Sequence, residues 1–230
     1  MIKDKDFITA VYSNFLFNNN PNPFKGFMSA DRNDPEYVSD FENIILNHCE
    51  PMMHESAVKD DNYKEILACV FIVNPDTRRI AAYRNTVQSK KDIGSSISMW
   101  SCGYSGHVKS IGKAAKCISL KNPILETRCR DLSKEIIIPN GYLDFSNAKL
   151  LGYINNDFNE ISKTHFVLVY GIITNASEII NRSAEYNEMI TSDRLEKMIE
   201  LSNNVGSDTD IYYYTKESFP SLYNFMQSFK

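Results

Sequence analysis

Near the N-terminus, apolar residues recur three or four positions apart, which is the spacing of an amphipathic helix. The first 18 or so residues are therefore predicted to form one helix, whose apolar side consists of Phe7, Ile8, Val11, Phe15 and Leu16. Asp34 followed by Pro35 resembles a helix N-cap with proline at the first helical position. A second helix is predicted from there to about Asn47. Its buried residues are predicted to be Phe41, Ile44 and Ile45.

Beyond residue 60 the pattern changes to short apolar runs separated by turn residues. The run from Ile66 to Val73 is nearly continuous, as in a strand covered on both faces. Further strands are predicted at Ile80–Tyr83, Ser96–Tyr104, Leu150–Ile154 and His165–Ile173. Helices are predicted at Leu125–Ile136, Glu185–Leu201 and Phe219–Phe229. This order predicts an α/β domain over residues 61–230, with a helical extension over residues 1–60 packed on it.

Composition limits the classes of partner. Of the 230 residues, 43% are hydrophobic and 23% are charged, which is ordinary globular usage. The net charge of -4 argues against a dedicated nucleic-acid binder, because such proteins need a basic face to replace counterions. A nucleotide or another phosphorylated small molecule remains compatible, since its pocket needs positive charge only locally.

Cysteine number and hydropathy predict the compartment. The five cysteines are odd in number and none forms a Cys-x-x-Cys pair, which argues against a secreted disulfide framework. The charged segment Met1–Asp6 lacks the apolar run of a signal peptide. No run approaches the roughly 20 apolar residues that a membrane-spanning helix needs. The sequence therefore predicts a cytoplasmic protein with no membrane partner.

The predicted helix at residues 125–136 has two distinct faces on a helical wheel. The apolar face consists of Leu125, Cys129, Leu132 and Ile136. The polar face consists of Glu126, Arg130, Asp131, Lys134 and Glu135. Taken alone, this pattern is typical of an amphipathic helix with a solvated face.

The segment before this helix changes that interpretation. The strand at residues 96–104 leads into a glycine-containing turn that ends at Gly106 and His107. Glycines allow the backbone to approach a ligand closely. Carboxylates one turn apart on a helix supply the oxygen ligands that Mg²⁺ prefers. Together, the strand, turn and helix form a candidate site for a divalent cation and a diphosphate.

These residues resemble a degenerate Nudix box. Gly106-His107 resembles the glycine turn of the box, and the segment from Arg130 to Glu135 resembles its helix, which in the family reads Arg-Glu-apolar-x-Glu-Glu. The closest resemblance is to the predicted Nudix-type phosphoesterases, whose turn reads Gly-x-Gly-Gly-His. The segments Asp61–Ile66 and Leu151–Glu160 also resemble that subgroup. The resemblance covers Asp61 to Ile173 and implies a Nudix-type α/β/α sandwich, with a mixed sheet and extra N- and C-terminal helices.

The chain departs from the family pattern at several positions. Asp131 replaces a glutamate, and Lys134 replaces the first glutamate of the closing pair. An insertion of lysine-containing sequence runs from Val108 to Pro123. The family's glutamate between the glycine and the arginine would fall at Asn122. The lysine places positive charge where a metal ligand belongs, which would weaken Mg²⁺ binding or replace the cation.

The resemblance also implies roles for particular residues. It implies Mg²⁺-assisted hydrolysis of a nucleoside diphosphate derivative, with a carboxylate accepting the proton from water. The residues implied to be catalytic are Arg130, Asp131 and Glu135. The implied metal ligands are Asp131, Glu135 and Glu160. The residues implied to bind the ligand are Gly106, His107 and Lys134. The leading interpretation is a Nudix-like hydrolase with weakened or lost activity. The alternatives are a catalytically inactive nucleotide-binding or protein-interaction module, and a structural partner that reuses the fold.

The four histidines are further candidates for metal or phosphate binding. A crowded run contains His48, Cys49, Glu50, His54 and Glu55. Its spacing matches no regular zinc pattern, and the sequence therefore predicts a packed turn there. His107 is interpreted either as a donor to phosphate or as a structural residue. His165, on a predicted apolar strand, is interpreted as a core histidine.

Overall fold

The computed structural model describes residues 7–18, 20, 23–88, 96–109, 122–156, 160–202 and 210–229. In chain order, the elements of the first half are β1 (Phe7–Tyr12), α1 (Ser13–Phe17), β2 (Gly26–Ser29), α2 (Phe41–His48), β3 (Glu50–Met53), α3 (His54–Ala57), β4 (Tyr63–Asn74), β5 (Arg79–Gln88), β6 (Ser96–Ser101) and β7 (Gly103–His107). Those of the second half are α4 (Pro123–Glu135), β8 (Ile136–Ile137), β9 (Leu143–Asn155), α5 (Glu160–Lys163), β10 (His165–Thr174), β11 (Ile180–Asn181), β12 (Tyr186–Thr191), α6 (Ser192–Ser202), β13 (Asp210–Ile211) and α7 (Tyr213–Gln227).

A large mixed sheet dominates the fold, which confirms the predicted α/β class. Within the described ranges, eleven strands belong to it, with the order β13-β6-β5-β4-β10-β9-β2 and with β1, β3, β7 and β12 joined beside this path. The β13–β6 pair is parallel, whereas the β5–β6 pair is antiparallel. β4 and β10 are buried along almost their whole length, as their continuous apolar runs predict.

The first predicted element is wrong. Residues Phe7–Tyr12 form strand β1, and only Ser13–Phe17 are helical. β1 pairs antiparallel with both β3 and β4, with Ala10 opposite Glu50 on one side and Glu65 on the other. A strand that is covered on both faces has apolar residues at consecutive positions, so helical spacing occurs within it by chance. The two backbone pairings, which are remote in sequence, decide the outcome.

The second helix begins later than the sequence predicts. It starts at Phe41, and the Asp40 side chain caps it by accepting a hydrogen bond from the Asn43 backbone N–H at 3.1 Å. Asp34 instead accepts a bond from the Glu36 N–H at 2.9 Å, which makes it the first residue of a turn. The predicted cap at Asp34 is therefore wrong, and Asp40 caps the helix. Phe41 and Ile45 are buried as predicted, whereas Ile44 is only half-buried.

Contact clustering divides the chain into two compact units. The first contains Met1–Cys69, Ser105–Asp131 and Leu150–Tyr170; the second contains Val70–Tyr104, Leu132–Lys149 and Gly171–Lys230. These units interleave along the chain, whereas the sequence predicts a boundary at residue 60. That boundary stays a prediction. None of the described helices is long and apolar enough to span a membrane.

A cluster of aromatic rings packs around Phe41 in the first unit. Phe41 of α2 is 1% exposed, and its ring centroid lies 5.2 Å from those of Tyr153 and Phe166. The Phe24 ring lies 5.6 Å from it. Such edge and tilted contacts between buried rings add to the hydrophobic gain of burying them. This packing ties α2 to β9 and β10 within the unit.

One predicted helix of the second unit is partly a strand in the structure. The helix predicted over Glu185–Leu201 is wrong in its first part, because Tyr186–Thr191 form β12 and α6 begins only at Ser192. β12 pairs antiparallel with β5, with Met189 opposite Ala81. The C-terminal helix is confirmed and is longer than predicted, starting at Tyr213.

Candidate functional site

The helix of the box-like segment begins at Pro123, two residues before the predicted Leu125. Asn122 is its N-cap, since its Oδ1 accepts a hydrogen bond from the Leu125 backbone N–H at 2.9 Å and its carbonyl accepts from the Glu126 N–H at 3.0 Å. Pro123 occupies the first helical position, where a missing N–H costs nothing. The Asn122 amide also donates to Glu42 Oε1 at 2.6 Å. The residue at the position of the family glutamate therefore caps the helix.

The two faces of α4 follow the helical wheel. Leu132 and the residue after the helix, Ile136, are buried as predicted. Arg130, Lys134 and Glu135 are exposed. The side chain of Asp131 is only 15% exposed. Asp131 and Glu135 are four residues apart on one helix and so lie on the same face.

Asp131 has a cationic neighbour. Its Oδ2 lies 3.6 Å from the ammonium of Lys109, the second residue of the predicted insertion. Residues 110–121 of that insertion, which include Lys113, Lys116 and Lys121, lie outside the described residues. The described part of the insertion thus places positive charge beside a box carboxylate, as the sequence predicts for the loop as a whole.

Gly106 lies against a buried arginine. A Cβ atom at this position would be 3.3 Å from both Cζ and Nη1 of Arg128, which is itself fully buried. Glycine therefore allows the guanidinium to approach the β7 backbone closely. Arg128 is not among the predicted site residues, although the sequence carries a signal for it: on the wheel it lies roughly 40° from Leu132, at the edge of the apolar face.

His107 belongs to a cluster that also contains a buried carboxylate. His107 Nε2 lies 2.9 Å from Glu65 Oε2, and His54 Nε2 lies 3.3 Å from the same oxygen. The Glu65 side chain is fully buried on β4. Its other oxygen, Oε1, accepts a hydrogen bond from the Thr164 hydroxyl at 3.1 Å. Neither Glu65 Oε2 nor His107 Nε2 makes an aligned hydrogen bond to any described residue.

The charges of this cluster follow from its surroundings. Burial on its own would raise the pKa of Glu65, but His107, His165 and His54 together outweigh it and leave that pKa lowered. Burial lowers the pKa of His165 to about 4, so this imidazole is neutral at physiological pH. The His165 ring lies 5.7 Å from that of His107. The cluster therefore combines an ionised carboxylate with imidazoles that surround one of its oxygens.

The residues of the crowded run from His48 to Glu55 do not form a single cluster in the structure. His48 stacks on Phe15, with ring centroids 4.4 Å apart and an interplanar angle of 11°. His54 is the first residue of α3. Among the described residues, it is the only member of that run in the group with Glu65 and His107 that could hold a metal ion. These three residues come from α3, β4 and β7, so no spacing in the sequence predicts that they lie together.

The remaining predicted site residues are only partly located. Glu160 begins α5, but its side chain lies outside the described part of the structure, so its place in a metal site stays a prediction. Glu135 ends α4, and its carbonyl accepts a hydrogen bond from the Arg182 N–H at 2.9 Å. The catalytic and ligand roles of Arg130, Asp131, Lys134 and Glu135 likewise stay predictions.

Comparisons with known proteins bear on the fold. No protein-family model and no curated protein matches the chain. Among solved structures, it is similar to the crystal structure of Tm1382, described as a putative Nudix hydrolase, with 17% sequence identity and a TM-score of 0.67. The similarity covers 95% of this chain and 99% of that one. The chain therefore has a Nudix-type fold, an α/β/α sandwich built on a mixed sheet.

Proposed function

We propose that this chain is a Nudix-like hydrolase of a nucleoside diphosphate derivative, with catalysis weakened by its altered box. The observation that supports the proposal is the largely buried Asp131 carboxylate on α4, with Glu135 one turn later on the same face. Both carboxylates belong to the helix that follows Gly106 and His107 in the chain, although these two residues lie in strand β7 and not in the predicted turn. The shared fold supports the reaction class only at a coarse level.

Each residue has a defined part in this proposal. Asp131 and Glu135 would hold Mg²⁺, with Glu160 as a late third carboxylate. A bound Mg²⁺ polarises the phosphate and lowers the pKa of water. Arg130, the exposed residue directly before Asp131, would bind a phosphate oxygen through its planar donors. Since His107 Nε2 faces Glu65, we assign His107 no phosphate contact.

The second candidate is a nucleotide-binding module without catalysis. It is favoured by the Lys109 ammonium at 3.6 Å from Asp131 and by Lys134 on the same helix. These cations balance carboxylate charge that a metal would otherwise balance. They would also attract phosphate oxygens directly. Turnover, as distinct from binding, separates the two candidates.

Asp131→Asn is expected to lower turnover by about 10²- to 10⁴-fold, because it removes the charge that holds metal or accepts a proton while keeping the side-chain shape. The assay measures mononucleotide release from a panel of nucleoside diphosphate derivatives, with and without Mg²⁺. Asp76→Asn, in an exposed turn of the second unit, is the matched control and is expected to keep wild-type turnover.

Thermal unfolding of the same wild-type samples distinguishes the candidates, because a ligand that binds the native state raises Tm. A raised Tm without turnover would establish the binding module and reject the hydrolase. No turnover and no change in Tm with any nucleotide would reject both. Turnover that survives Asp131→Asn would show that the ligands lie elsewhere.

Lys134→Glu is expected to raise Mg²⁺ affinity, because the charge beside Glu135 changes by two units. The side chain is exposed, so solvent screening limits the gain to roughly 2- to 30-fold. Isothermal titration calorimetry with MgCl₂ measures it. Lys197→Glu, an exposed position on α6, makes the same charge change and serves as the control. Equal gains in both variants would indicate only a general field effect, and no gain would mean that this face of α4 is merely solvated.

A further inference from the structure

We infer that His54, Glu65 and His107 form a binding site for a divalent transition metal of the zinc type, separate from the carboxylates of α4. The three ligand atoms, one from each side chain, all lie within 4.8 Å of one another. Glu65 Oε2 is central, at 2.9 Å from His107 Nε2 and 3.3 Å from His54 Nε2. All three residues belong to the first compact unit.

These separations are near those of a tetrahedral zinc site. Zinc binds imidazole nitrogen and carboxylate oxygen at about 2.0–2.1 Å, so neighbouring ligand atoms in a tetrahedral site are about 3.3 Å apart. The contact from His54 to Glu65 Oε2 matches that value, the 2.9 Å contact from His107 has to widen slightly, and the His54 and His107 ligand atoms lie within 4.8 Å of each other. His54 has the freedom to adjust because its side chain is 46% exposed. The site therefore needs only side-chain adjustment to accept the ion.

Glu65 supplies an independent indication of a missing ligand. A carboxyl group that is fully buried normally has both oxygens hydrogen-bonded, because burying an unsatisfied polar atom is costly. Oε1 is satisfied by the Thr164 hydroxyl, whereas Oε2 has no aligned hydrogen bond among the described residues. His107 Nε2, which faces it, is in the same condition. A cation between these atoms would satisfy both.

The donor types select the metal. Two imidazoles and one carboxylate suit zinc, whereas Mg²⁺ prefers oxygen ligands alone. Three protein ligands are also the set that leaves a fourth position for water, as in catalytic rather than structural zinc sites. His54 and His107 are 46% and 33% exposed, so the site lies near the surface, although Glu65 Oε2 and His107 Nε2 are themselves buried. The site thus fits a zinc ion with three protein ligands.

The test is titration of the folded chain with ZnCl₂ in competition with a chromophoric chelator, together with the visible absorption of the Co²⁺-substituted protein. One zinc per chain is expected, with the bands of tetrahedral Co²⁺ and no thiolate charge-transfer band. His54→Ala and His107→Ala are each expected to lower zinc affinity by at least about 100-fold, since even outer partners of a ligand contribute 10- to 100-fold. His48→Ala is the matched control, because its ring stacks on Phe15 outside the cluster, and it is expected to bind as the wild type does.

Thr164→Val tests the positioning of Glu65, since it removes the hydroxyl that holds Oε1. Affinity is expected to fall by about 10- to 100-fold, with a shift of the Co²⁺ bands. Circular dichroism verifies that each variant is folded, and the partly exposed His54 keeps the test decisive if a variant at a more buried position does not fold. No zinc binding by the wild type, equal loss in His48→Ala, or a thiolate band would overturn the site. None of these results depends on nucleotide turnover.

Discussion

Phe41→Ala is expected to lower the free energy of unfolding by about 3–5 kcal/mol, because it leaves a cavity where a fully buried ring was. Phe41 is 1% exposed, and its ring packs against Phe24, Tyr153 and Phe166. These neighbours belong to β9, β10 and the segment before β2, so several elements lose a shared contact. The surrounding rings are large and stiff and can fill the space only in part.

Urea denaturation followed by circular dichroism measures this loss. Phe15→Ala is the matched control, because that phenylalanine is 51% exposed and its loss removes little buried area. We expect the control to change stability by less than about 1 kcal/mol. If both variants lost equal stability, the aromatic cluster around Phe41 would contribute nothing particular, and the N-terminal segment would be a dispensable addition.

Gly152→Ala is expected to lower the free energy of unfolding by about 3 kcal/mol or more. A Cβ atom there would lie 2.3 Å from Cζ of Phe27 and 2.4 Å from the carbonyl oxygen of Met28. The carbonyl belongs to β2, which pairs antiparallel with β9 at this point, so relief requires the two strands to separate. Overpacking a core usually costs 1–3 kcal/mol, and here a backbone atom cannot rotate away.

The same denaturation assay checks this prediction, with Gly106→Ala as the comparison. At Gly106 the nearest atoms to a new Cβ belong to the Arg128 side chain at 3.3 Å, and they need to move by only a few tenths of an ångström. We expect a loss of about 1 kcal/mol there. A loss at Gly152 no larger than that at Gly106 would mean that β2 detaches from β9 at little cost.

Both stability predictions concern the N-terminal 60 residues, which the sequence presents as a helical extension. In the structure of the first unit, β1 pairs with β4, β2 pairs with β9, and α3 brings His54 to Glu65. The segment thus supplies strands to the sheet and a side chain to the proposed zinc site. Its contribution depends on pairing with residues far along the chain, which no local periodicity expresses.

Where burial is decided within one element, the sequence was sufficient. The continuous apolar runs of β4 and β10 predict strands covered on both faces, and the structure confirms them. The helix α4 follows from its wheel, although its cap at Asn122 and its start at Pro123 were not predicted. The resemblance of the Gly106-His107 segment and the charged helix to a Nudix box predicted the Nudix-type fold, which the structural similarity confirms. The predicted glycine turn is wrong, because Gly103–His107 form strand β7.

Where the conformation of a segment depends on partners remote in sequence, only the tertiary structure determined it. Phe7–Tyr12 and Tyr186–Thr191 read as helix by spacing, but both become strands because neighbouring strands satisfy their backbone groups. His54, Glu65 and His107 form one cluster although each stands on a different element. A sequence pattern records the periodicity of a single element. The meeting of side chains from separate elements is a property of the folded chain, and therefore the order of residues could not show it.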